Sequence, residues 1–312
     1  LGAPSRRHDR AGSCAAPRRP QRSAPAGLVL LAEADRTAMS DFSARGKVVV
    51  VTGGANGIGA ALCQRFASEG ASKVVVVDLN VGVAQSLAAT LPEHVGVAMG
   101  ADCGSELDLR RVIVQTEFEH GPIGVFVANA GIPSNGSFDV TDGEWERIWR
   151  INTMQQLWVA RHLFPRWIAR GGGHLVVTAS AAGLLTQVGS LAYTVTKHAA
   201  VAMAEWFAIT YASQGIRVSC ICPQAVATAM LPEGMGGGMA GNDGVLRAEE
   251  VADALIAAMK EGICLVTPHK NVLTYVQRKA ADHGRWLKGM QRQHERFGVA
   301  TLVAPNMSAS KL

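Results

Sequence analysis

A tyrosine and a lysine four residues apart are the pair in this sequence best suited to acid–base chemistry. Tyr193 and Lys197 share one face of a predicted helix, since residues i and i+4 are neighbours on a helical surface. An ammonium beside a phenol stabilises the phenolate and lowers the tyrosine pKa from its ordinary value of ~10. Ser180, 13 residues before Tyr193, ends a predicted strand. A Tyr-x-x-x-Lys pair alone is typical of a solvated helix face, so its role depends on the surrounding elements.

A glycine-rich segment, TGGANGIG at residues 52–59, follows a predicted strand and opens a predicted helix. Gly53, Gly57 and Gly59 permit a tight turn and let a pyrophosphate approach the backbone and the helix N-terminus. The spacing is GxxxGxG rather than the common GxGxxG, so the glycines alone are also compatible with an ordinary turn. The strand–turn–helix context favours a dinucleotide site.

An aspartate supports this interpretation. Asp78 ends the second predicted strand, 19 residues after Gly59, where a carboxylate can accept hydrogen bonds from the hydroxyls of an adenosine ribose. The same carboxylate repels a 2′-phosphate, and neither Gly54 nor Ala55 offers a basic side chain to bind one. The sequence therefore favours NAD over NADP, with a simple turn-forming role for Asp78 as the alternative.

Seven short apolar runs alternate with helical patterns, and these elements must position the residues above. Runs that are apolar throughout are typical of parallel strands covered on both faces. Strands are predicted over residues 47–52, 73–78, 95–99, 124–128, 174–179, 216–222 and 263–266. Helices are predicted over residues 60–69, 81–90, 106–119, 143–170 (interrupted by Pro165), 191–213 and 248–260. The pattern predicts an α/β fold: one doubly wound Rossmann domain with about seven parallel strands and helices on both faces.

Composition and charge divide the chain into three parts. Hydrophobic residues make up 48% of it, which excludes wholesale disorder, and no stretch approaches the ~18 apolar residues that span a bilayer. The net charge of +5 arises at the ends, since residues 39–269 hold 15 basic and 20 acidic residues. We expect a disordered N-terminal extension over 1–44, a dinucleotide-binding catalytic domain over 45–268, and a C-terminal extension over 269–312 with a basic helix at 273–297.

Cysteine usage and the charge distribution exclude several classes of function. The six cysteines form no CxxC motif and have no neighbouring histidine cluster, so neither a disulfide framework nor a metal site is expected. The body of the chain has no basic patch interleaved with aromatic residues, so nucleic acid is not an expected partner, and nor is a membrane. A reducing compartment, the cytoplasm, fits best. The arginine-rich, acid-poor residues 1–38 leave organellar targeting as the alternative.

In this context the chain resembles the classical short-chain dehydrogenase/reductase family over residues 45–267. The Asn-Ala-Gly turn at 129–131 matches the family, although Ala128 replaces the usual preceding Asn. Residues 223–228 resemble its Pro-Gly-x-Val-x-Thr segment, but Gln224 replaces a glycine that would tolerate a positive φ. The resemblance implies a catalytic set of Asn152, Ser180, Tyr193 and Lys197. It also implies NAD contacts from Gly53, Asn56, Gly57, Ile58, Gly59, Asp78, Asp102 (against adenine), Cys103, Asn129, Ala130, Gly131, Tyr193, Lys197, Pro223 and Thr228.

The resemblance implies hydride transfer between a secondary alcohol or ketone and nicotinamide, without a metal. Tyr193 takes the hydroxyl proton in oxidation and returns it in reduction. Ser180 hydrogen-bonds the substrate oxygen and stabilises its developing charge. Lys197 binds the nicotinamide ribose and lowers the pKa of Tyr193, and Asn152 holds a water that links Lys197 to solvent.

The substrate is weakly specified by the sequence. Residues 229–242 lie where the family places its mobile lid, and they combine three methionines with five glycines, so they can close over an apolar substrate. No charged anchor follows Ser180, which favours an apolar secondary alcohol or ketone over a phosphorylated or carboxylate substrate. Two alternatives stay open. One is a 3-oxoacyl thioester reductase, which Asp78 disfavours because such enzymes usually resemble NADP users. The other is a non-catalytic nucleotide-binding protein on the same fold.

The predicted helices over 143–170 and 191–213 carry more apolar residues than one core-facing stripe needs. We expect this surplus to be buried against a second copy of the chain, and the family resemblance implies dimers or tetramers built on these helices. Alternatively, the basic tail folds back and covers them. A homodimer or homotetramer is therefore predicted. The residues concerned are Leu157, Trp158, Phe164, Trp167, Trp206 and Phe207.

Overall fold

Strands and helices alternate along the chain in this computed structural model, which describes Gly2 and residues 42–231 and 238–297. The strands are β1 (Val48–Thr52), β2 (Lys73–Asp78), β3 (Gly96–Gly100), β4 (Ile123–Ala128), β5 (Gly173–Thr178), β6 (Ile216–Ile221) and β7 (Leu265–Val266). The helices are α1 (Gly57–Ser68), α2 (Val81–Ala88), α3 (Glu106–His120), α4 (Asp142–Trp149), α5 (Gln155–Ala169), α6 (Leu191–Tyr211), α7 (Ala248–Lys260), α8 (Val272–Ala281) and α9 (His283–Phe297).

The strands form one sheet in the order β3-β2-β1-β4-β5-β6-β7, and every neighbouring pair is parallel. The chain winds outward from β1 to β3 and then crosses back to begin the second half at β4. In such sheets, ligands bind beyond the carboxyl ends of the strands, where the winding direction reverses. The predicted doubly wound α/β fold is confirmed, and it places the loops after β1 and β4 side by side.

Both faces of the sheet are covered, which explains why the strands are apolar throughout. On β1, Val48 and Val50 pack in a core that includes residues of α3, α5 and α6. Val49 and Val51 point the other way, into a core with α1, α2 and α7. This two-sided packing fixes the ends of the strands, and therefore the loops that follow them.

The sequence predicts a long helical stretch over residues 143–170 that is interrupted at Pro165; the stretch is confirmed, but the interruption lies elsewhere. A π-helical turn, Arg150–Met154, separates α4 from α5. α5 then continues through Pro165, which is exposed, so water can hydrate the carbonyl that proline leaves unbonded. A π-turn adds one residue to a helical turn and is frequent at functional sites. Here it contains Asn152.

The basic segment predicted as one helix over residues 273–297 forms two helices. α8 and α9 are separated by Asp282, whose backbone is extended, with φ −149° and ψ 87°. Lys279 Nζ donates hydrogen bonds to the carbonyl oxygens of Leu184 at 2.9 Å and Leu185 at 3.2 Å. The tail is therefore tied to the loop that follows β5.

Most aromatic residues expected at an interface belong to the core of a single chain. Phe164 of α5 and Phe207 of α6 meet edge to face, with ring centroids 5.1 Å apart. Leu157 is half-buried, and Trp206 is well exposed, at 55%. The expectation that these residues form surplus surface is thus wrong for most of them, because α5 and α6 bury them together with the sheet. The buried residues of the set are Trp158, Phe164, Trp167 and Phe207.

Among the helices of the described residues, none is long and apolar enough to cross a membrane. The described residues also hold no group of three or more His, Cys, Asp or Glu side chains that could bind a metal ion. Most of the extension predicted over 1–44 lies outside the described residues, which begin, Gly2 apart, at Phe42. The three-part division of the chain and the cytoplasmic location therefore stay predictions.

Candidate active site

The glycine-rich loop after β1 adopts a turn that side chains would prevent. Gly53 and Gly57 have positive φ values of 58° and 52°, which residues with side chains rarely adopt. A Cβ at Gly59 would lie 2.0 Å from the Gly53 carbonyl oxygen, so α1 starts directly against the turn. A Cβ at Gly57 would lie 2.8 Å from Cγ2 of Thr228. Two predicted cofactor residues that are distant in sequence therefore lie side by side. Asn56, before α1, makes no side-chain capping bond, so the N–H groups of the first turn stay available for an anion.

Asp78 closes this loop from the end of β2. Its Oδ2 accepts a hydrogen bond from the backbone N–H of Ala55 at 3.2 Å, and its Oδ1 accepts one from that of Asn80 at 3.1 Å. The carboxylate also lines the cavity that the loop borders. A turn-forming role and a ligand-facing position are therefore compatible at this residue.

Asn129, after β4, holds the same turn from the other side. Its Nδ2 donates hydrogen bonds to the carbonyl oxygens of Thr52 at 3.0 Å and Gly53 at 3.2 Å. The Thr52 hydroxyl accepts hydrogen bonds from the backbone N–H groups of Asn129 at 2.9 Å and Ala130 at 3.1 Å. The Asn129 side chain thus positions the turn, while Ala130 and Gly131 line the cavity beside it.

Tyr193 and Ser180 meet beyond the carboxyl end of β5. Burial raises the pKa of the Tyr193 phenol, and a hydrogen bond from the Ser180 hydroxyl partly offsets this effect. The expectation that Lys197 lowers the pKa of Tyr193 is therefore not met. Lys197 Nζ lies 5.6 Å from the centroid of the Tyr193 ring, and it donates its hydrogen bond to the Thr178 carbonyl at 2.9 Å. Buried in this way, the phenol is protonated at neutral pH and can act as a proton donor.

Lys197 is buried one helical turn beyond Tyr193 on α6. Burial lowers the pKa of its ammonium from 10.5 to about 8, because a low-dielectric environment disfavours the charged form. A lysine with such a pKa can donate hydrogen bonds to a ligand and can also exchange a proton near neutral pH.

Asn152 lies in the π-turn, and its side chain contacts the backbone of the segment that follows β4. Its Oδ1 accepts a hydrogen bond from the Ile132 N–H at 2.9 Å, and its Nδ2 donates one to the Ile132 carbonyl at 3.0 Å. A Cβ at Gly131 would lie 3.4 Å from both Asn152 Oδ1 and Lys197 Nζ. The glycine thus leaves open the space that borders both polar groups. The water that the resemblance assigns to this place stays a prediction.

Asp102 and Cys103 border a second cavity of about 460 Å³, which shares Gly53 and Asp78 with the main one. Asp102 Oδ1 accepts a hydrogen bond from the Gly104 N–H at 2.8 Å, so this carboxylate shapes the turn after β3. Burial raises the pKa of the Cys103 thiol to about 12, which makes it a poor nucleophile. The contact of Asp102 with adenine stays a prediction.

Gln224 occupies the family's glycine position without strain. Of the described non-glycine residues, His94 alone has a positive φ, so the backbone of Gln224 is in an ordinary region. The Gln224 N–H donates a hydrogen bond to Nδ1 of His269 at 3.1 Å, and His269 is buried. The replacement is therefore accommodated by a contact between the 223–228 segment and the residues that follow β7.

A main cavity of about 1120 Å³ brings most of the predicted site residues together. Its wall close to Ser180 is apolar, with Ala181, Ala182 and Leu185. Within the segment expected to form a lid, residues 232–237 lie outside the described residues. The predicted residues that line the cavity are Gly53, Asn56, Gly57, Ile58, Gly59, Asp78, Asn129, Ala130, Gly131, Ser180, Tyr193, Lys197, Pro223 and Thr228.

The C-terminal helices contribute side chains to this cavity that the sequence patterns did not place there. The residues directly after Ser180 offer no charged group, as expected, but charged side chains enter the same cavity from residues about one hundred positions later in the chain. The spacing of Arg285 and Arg292 on α9 was the available signal, since residues seven apart share a helical face. The contributing residues include Tyr275, Arg278, Arg285, Trp286, Met290 and Arg292.

The chain is similar in sequence to proteins of a known family. The model of the short chain dehydrogenase family matches residues 47–234, more than half of the chain. The chain belongs to the short-chain dehydrogenase/reductase family. It is a classical member, and the family is one of oxidoreductases. Helices α8 and α9 of this short-chain dehydrogenase/reductase lie beyond the matched range.

Similar proteins include two enzymes from plants and one bacterial reductase. This short-chain dehydrogenase/reductase is 34% identical over 193 residues to "(21S)-21-acetoxyl-apo-melianone synthase SDR" of Melia azedarach, across 61% of this chain and 70% of that protein. It is 32% identical over 186 residues to "(+)-borneol dehydrogenase 1" of Salvia officinalis, across 59% of this chain and 71% of that protein. A solved structure of "3-ketoacyl-(acyl-carrier-protein) reductase" from Brucella melitensis, complexed with NADH, shows 25% identity and a TM-score of 0.66, across 72% of this chain and 97% of that one.

Proposed function

We propose that the protein is an NAD-dependent oxidoreductase that interconverts a secondary alcohol and its ketone. The observation that carries this proposal is that Ser180, Tyr193, the glycine-rich loop and Asp78 line one continuous cavity. A proton donor and a dinucleotide-type loop in one continuous cavity fit a reaction that moves a proton and a hydride together.

The residues on one side of the cavity fit a dinucleotide. The positive φ of Gly53 and Gly57 and the uncapped α1 N-terminus suit a pyrophosphate. Asp78 would bind the adenosine ribose, and Asp102 and Cys103 would border the adenine in the adjoining cavity. When bound, NAD accepts a hydride from the carbinol carbon in oxidation, and NADH returns one in reduction. The NADH complex of the Brucella melitensis reductase supports the choice of cofactor.

The chain's own residues would manage the proton and the orientation of the substrate. Tyr193 removes the hydroxyl proton of the alcohol in oxidation and supplies it to the ketone oxygen in reduction. Ser180 donates a hydrogen bond to the same oxygen and stabilises the charge that develops there. Lys197 would hold the nicotinamide ribose through its ammonium, and Asn152 would fix the water through which Lys197 exchanges protons with solvent.

The reacting end of the substrate is proposed to be apolar, because Ala181, Ala182 and Leu185 surround Ser180. The similarity to a borneol dehydrogenase supports an alcohol of this kind. A 3-oxoacyl thioester reductase stays the second candidate, and Asp78 does not exclude it, since the Brucella melitensis reductase was solved with NADH. A purely nucleotide-binding role is disfavoured, since all four positions of the implied catalytic set are filled.

The experiment that tests this function is a screen of secondary alcohols with purified protein, followed by the absorbance of NADH. NADP in parallel tests the cofactor, and a 3-oxoacyl thioester with NADH tests the second candidate. NADH formation with apolar secondary alcohols is expected. Nucleotide binding without turnover in either direction would instead support the non-catalytic alternative.

The pH dependence of the reaction should follow the phenol of Tyr193. Oxidation needs the phenolate, and burial raises the pKa of Tyr193, so kcat/KM for alcohol oxidation should rise as the pH becomes alkaline. Reduction needs the phenol, so kcat/KM for ketone reduction should fall as the pH rises through the same pKa. Rate profiles in both directions between about pH 6 and pH 11 measure this, around a phenol whose ordinary pKa is ~10.

Ser180 supplies the control for this assignment. In Ser180→Ala the hydrogen bond that lowers the pKa of Tyr193 is lost, so the oxidation profile should move to higher pH, in addition to any loss of rate. Ser180→Thr keeps a hydroxyl and should leave the profile near its original position. A profile that moves to lower pH in Ser180→Ala would contradict the role of this hydrogen bond.

We also propose that the protein assembles as a homodimer or homotetramer. Although most of the predicted aromatic residues are internal, α6 carries an exposed apolar stripe along its length, since residues at these spacings share a helical face. The family resemblance supports the same helix as an interface. The stripe consists of Leu191 (42% exposed), Val195 (37%), Trp206 (55%) and Ile209 (82%).

Light scattering at micromolar concentration measures the assembly. A mass of at least twice the 32.8 kDa of one chain is expected. Ile209→Glu places a charge in the stripe and should reduce the mass to that of a monomer. Phe118→Glu alters a residue that is 88% exposed on α3 and should leave the mass unchanged. A wild-type mass near one chain would contradict the proposal.

A further inference from the structure

Three arginines of the C-terminal helices line the cavity that contains Ser180 and Tyr193. Arg278 lies on α8, and Arg285 and Arg292 lie on α9, at intervals of seven residues. All three are exposed, unlike the buried Lys197 deeper in the site. The walls of the cavity that contains Tyr193 therefore include three guanidinium groups.

The charges of these arginines are not neutralised by the described part of the chain. Among the described residues, no carboxylate oxygen lies within 4.0 Å of their guanidinium nitrogens, and no hydrogen bond from their side chains is formed. Arg166 and Arg170 show the contrast, since both pair with Glu117, at 2.8 and 2.7 Å. The three cavity arginines keep their donors available for a ligand.

The carboxylates that line the same cavity are engaged elsewhere. Asp78 accepts its hydrogen bonds from the backbone of the glycine-rich loop and the start of α2. Asp243 accepts hydrogen bonds from Asn271 at 2.7 Å and from the Tyr275 hydroxyl at 2.8 Å. Asp282 accepts a hydrogen bond from the backbone N–H of Arg285, in the first turn of α9, at 2.9 Å. Each of these carboxylates thus has a hydrogen-bond partner in the protein, although Oδ2 of Asp243 is buried without one, whereas the three arginine side chains have none among the described residues.

The helices that carry the arginines are fixed on the substrate side of the cavity. Lys279 Nζ donates to the Leu184 and Leu185 carbonyls, just beyond Ser180, and lies 4.7 Å from the centre of the Trp286 ring. The bond from Tyr275 to Asp243 ties α8 to the loop before α7. These contacts hold α8, which carries Arg278, beside the loop that follows Ser180.

We propose that Arg278, Arg285 and Arg292 bind an anionic group of the substrate, carried at the end remote from the carbinol carbon. Guanidinium groups present paired N–H donors that match carboxylate, sulfonate and phosphate oxygens. This inference rests on the proposed function and narrows its substrate class: an alcohol or ketone that is apolar around the reacting carbon and ends in an oxyanion. The apolar wall beside Ser180 and the cationic wall of α8 and α9 then contact different parts of one molecule.

Matched pairs of substrates test this proposal. Each pair is a secondary alcohol with a terminal carboxylate and its methyl ester, in a series of chain lengths, and a phosphate monoester of the favoured length separates carboxylate from phosphate recognition. At the favoured length, kcat/KM for the acid should exceed that for its ester by about tenfold or more, because charge-assisted hydrogen bonds are the strong ones. The advantage should shrink with added salt, since the arginines are exposed.

Substitutions on the same helices identify the groups responsible. The triple variant Arg278→Gln, Arg285→Gln, Arg292→Gln should bring the acid down to the level of its ester and leave the ester unchanged. Lys288→Gln removes one positive charge from α9 outside the cavity lining and should keep the acid's advantage. All four side chains are exposed, so their replacement should not unfold the protein. A loss that affects the acid and not its ester is then due to the missing charges.

Two kinds of failure are distinguishable. Equal kcat/KM for acid and ester at every chain length, or an advantage that survives in the triple variant, overturns the anion site and leaves the proposed function intact. Absence of NADH formation with every acid and ester contradicts the proposed function. In that case calorimetric titration with the hydroxy acids decides the anion site, since the triple variant should bind about tenfold more weakly than the wild type.

Discussion

Tyr193→Phe should lower kcat/KM for alcohol oxidation by ~10²–10⁴-fold, the usual contribution of a positioned acid or base. The substitution removes the phenol oxygen, which lies in the same cavity as Ser180, and keeps the ring that packs beside Lys197. The dissociation constant of NAD should change little, because Lys197 and the other residues assigned to the nucleotide are unchanged. Steady-state kinetics and calorimetric titration with NAD measure the two effects separately.

Tyr211→Phe is a matched control, since it removes a phenol oxygen from the far end of the same helix. Its ring lies in the aromatic cluster with Phe164, 5.2 Å between centroids, and its activity should stay close to that of the wild type. Retention of more than about a tenth of the activity in Tyr193→Phe would place the proton transfer on another group, since a positioned acid or base contributes at least ~10²-fold.

Exchange of the charge at the end of β2 should reverse the cofactor preference. The wild type should favour NAD over NADP by well over ~tenfold, equivalent to ~1.4 kcal/mol, because a 2′-phosphate would face the Asp78 carboxylate. Asp78→Ala combined with Leu79→Arg replaces that anion with a cation at a side chain that is 73% exposed. The ratio of kcat/KM for NADP to that for NAD should then rise by about two orders of magnitude.

Two single variants separate charge from geometry. Asp78→Asn keeps an oxygen that can accept the Ala55 N–H bond but removes the charge, so it should relax the discrimination without disturbing the loop. Leu79→Arg adds the cation while the carboxylate stays, and its effect should be intermediate. Equal efficiency of NAD and NADP in the wild type would contradict the role assigned to Asp78.

The sheet and the glycine-rich loop could be predicted because their determinants are local. The valine runs of β1 and β2 have to be buried on both faces of the sheet. Gly53 and Gly57 adopt positive φ values that the absence of a side chain permits. The position of Asp78 could be predicted because it ends β2, a short and fixed number of residues after the glycine-rich loop. Each of these features depends on residues that are close in sequence.

The features that escaped prediction depend on contacts between distant segments. The π-turn at Arg150–Met154 presents Asn152 to the backbone of Ile132, a partner that no periodicity reveals. The raised pKa of Tyr193 results from burial, which exceeds the effect of the Ser180 hydrogen bond. The four-residue spacing of Tyr193 and Lys197 does not reveal how deeply the two side chains are buried.

The arginines of the cavity and the buried aromatic residues show the same limit. Arg285 lines the cavity, and the preceding helix α8 is tied by Lys279 to carbonyls beside the active site, almost one hundred residues earlier in the chain. Phe164 and Phe207 look surplus on separate helices and become core once those helices face each other. Tertiary packing therefore determines which charged side chains line the cavity and which apolar side chains stay exposed.

Transfer of deuterium tests the proposed chemistry most directly. Secondary alcohols that turn over are labelled at the carbinol carbon, and the nicotinamide formed in a single turnover is analysed by mass spectrometry. One deuterium per reduced nicotinamide is expected with the wild type, and the rate of its appearance should fall by ~10²-fold or more in Tyr193→Phe. Reduced nicotinamide without deuterium, or a rate that Tyr193→Phe leaves unchanged, would contradict hydride transfer from the alcohol with Tyr193 as its proton acceptor.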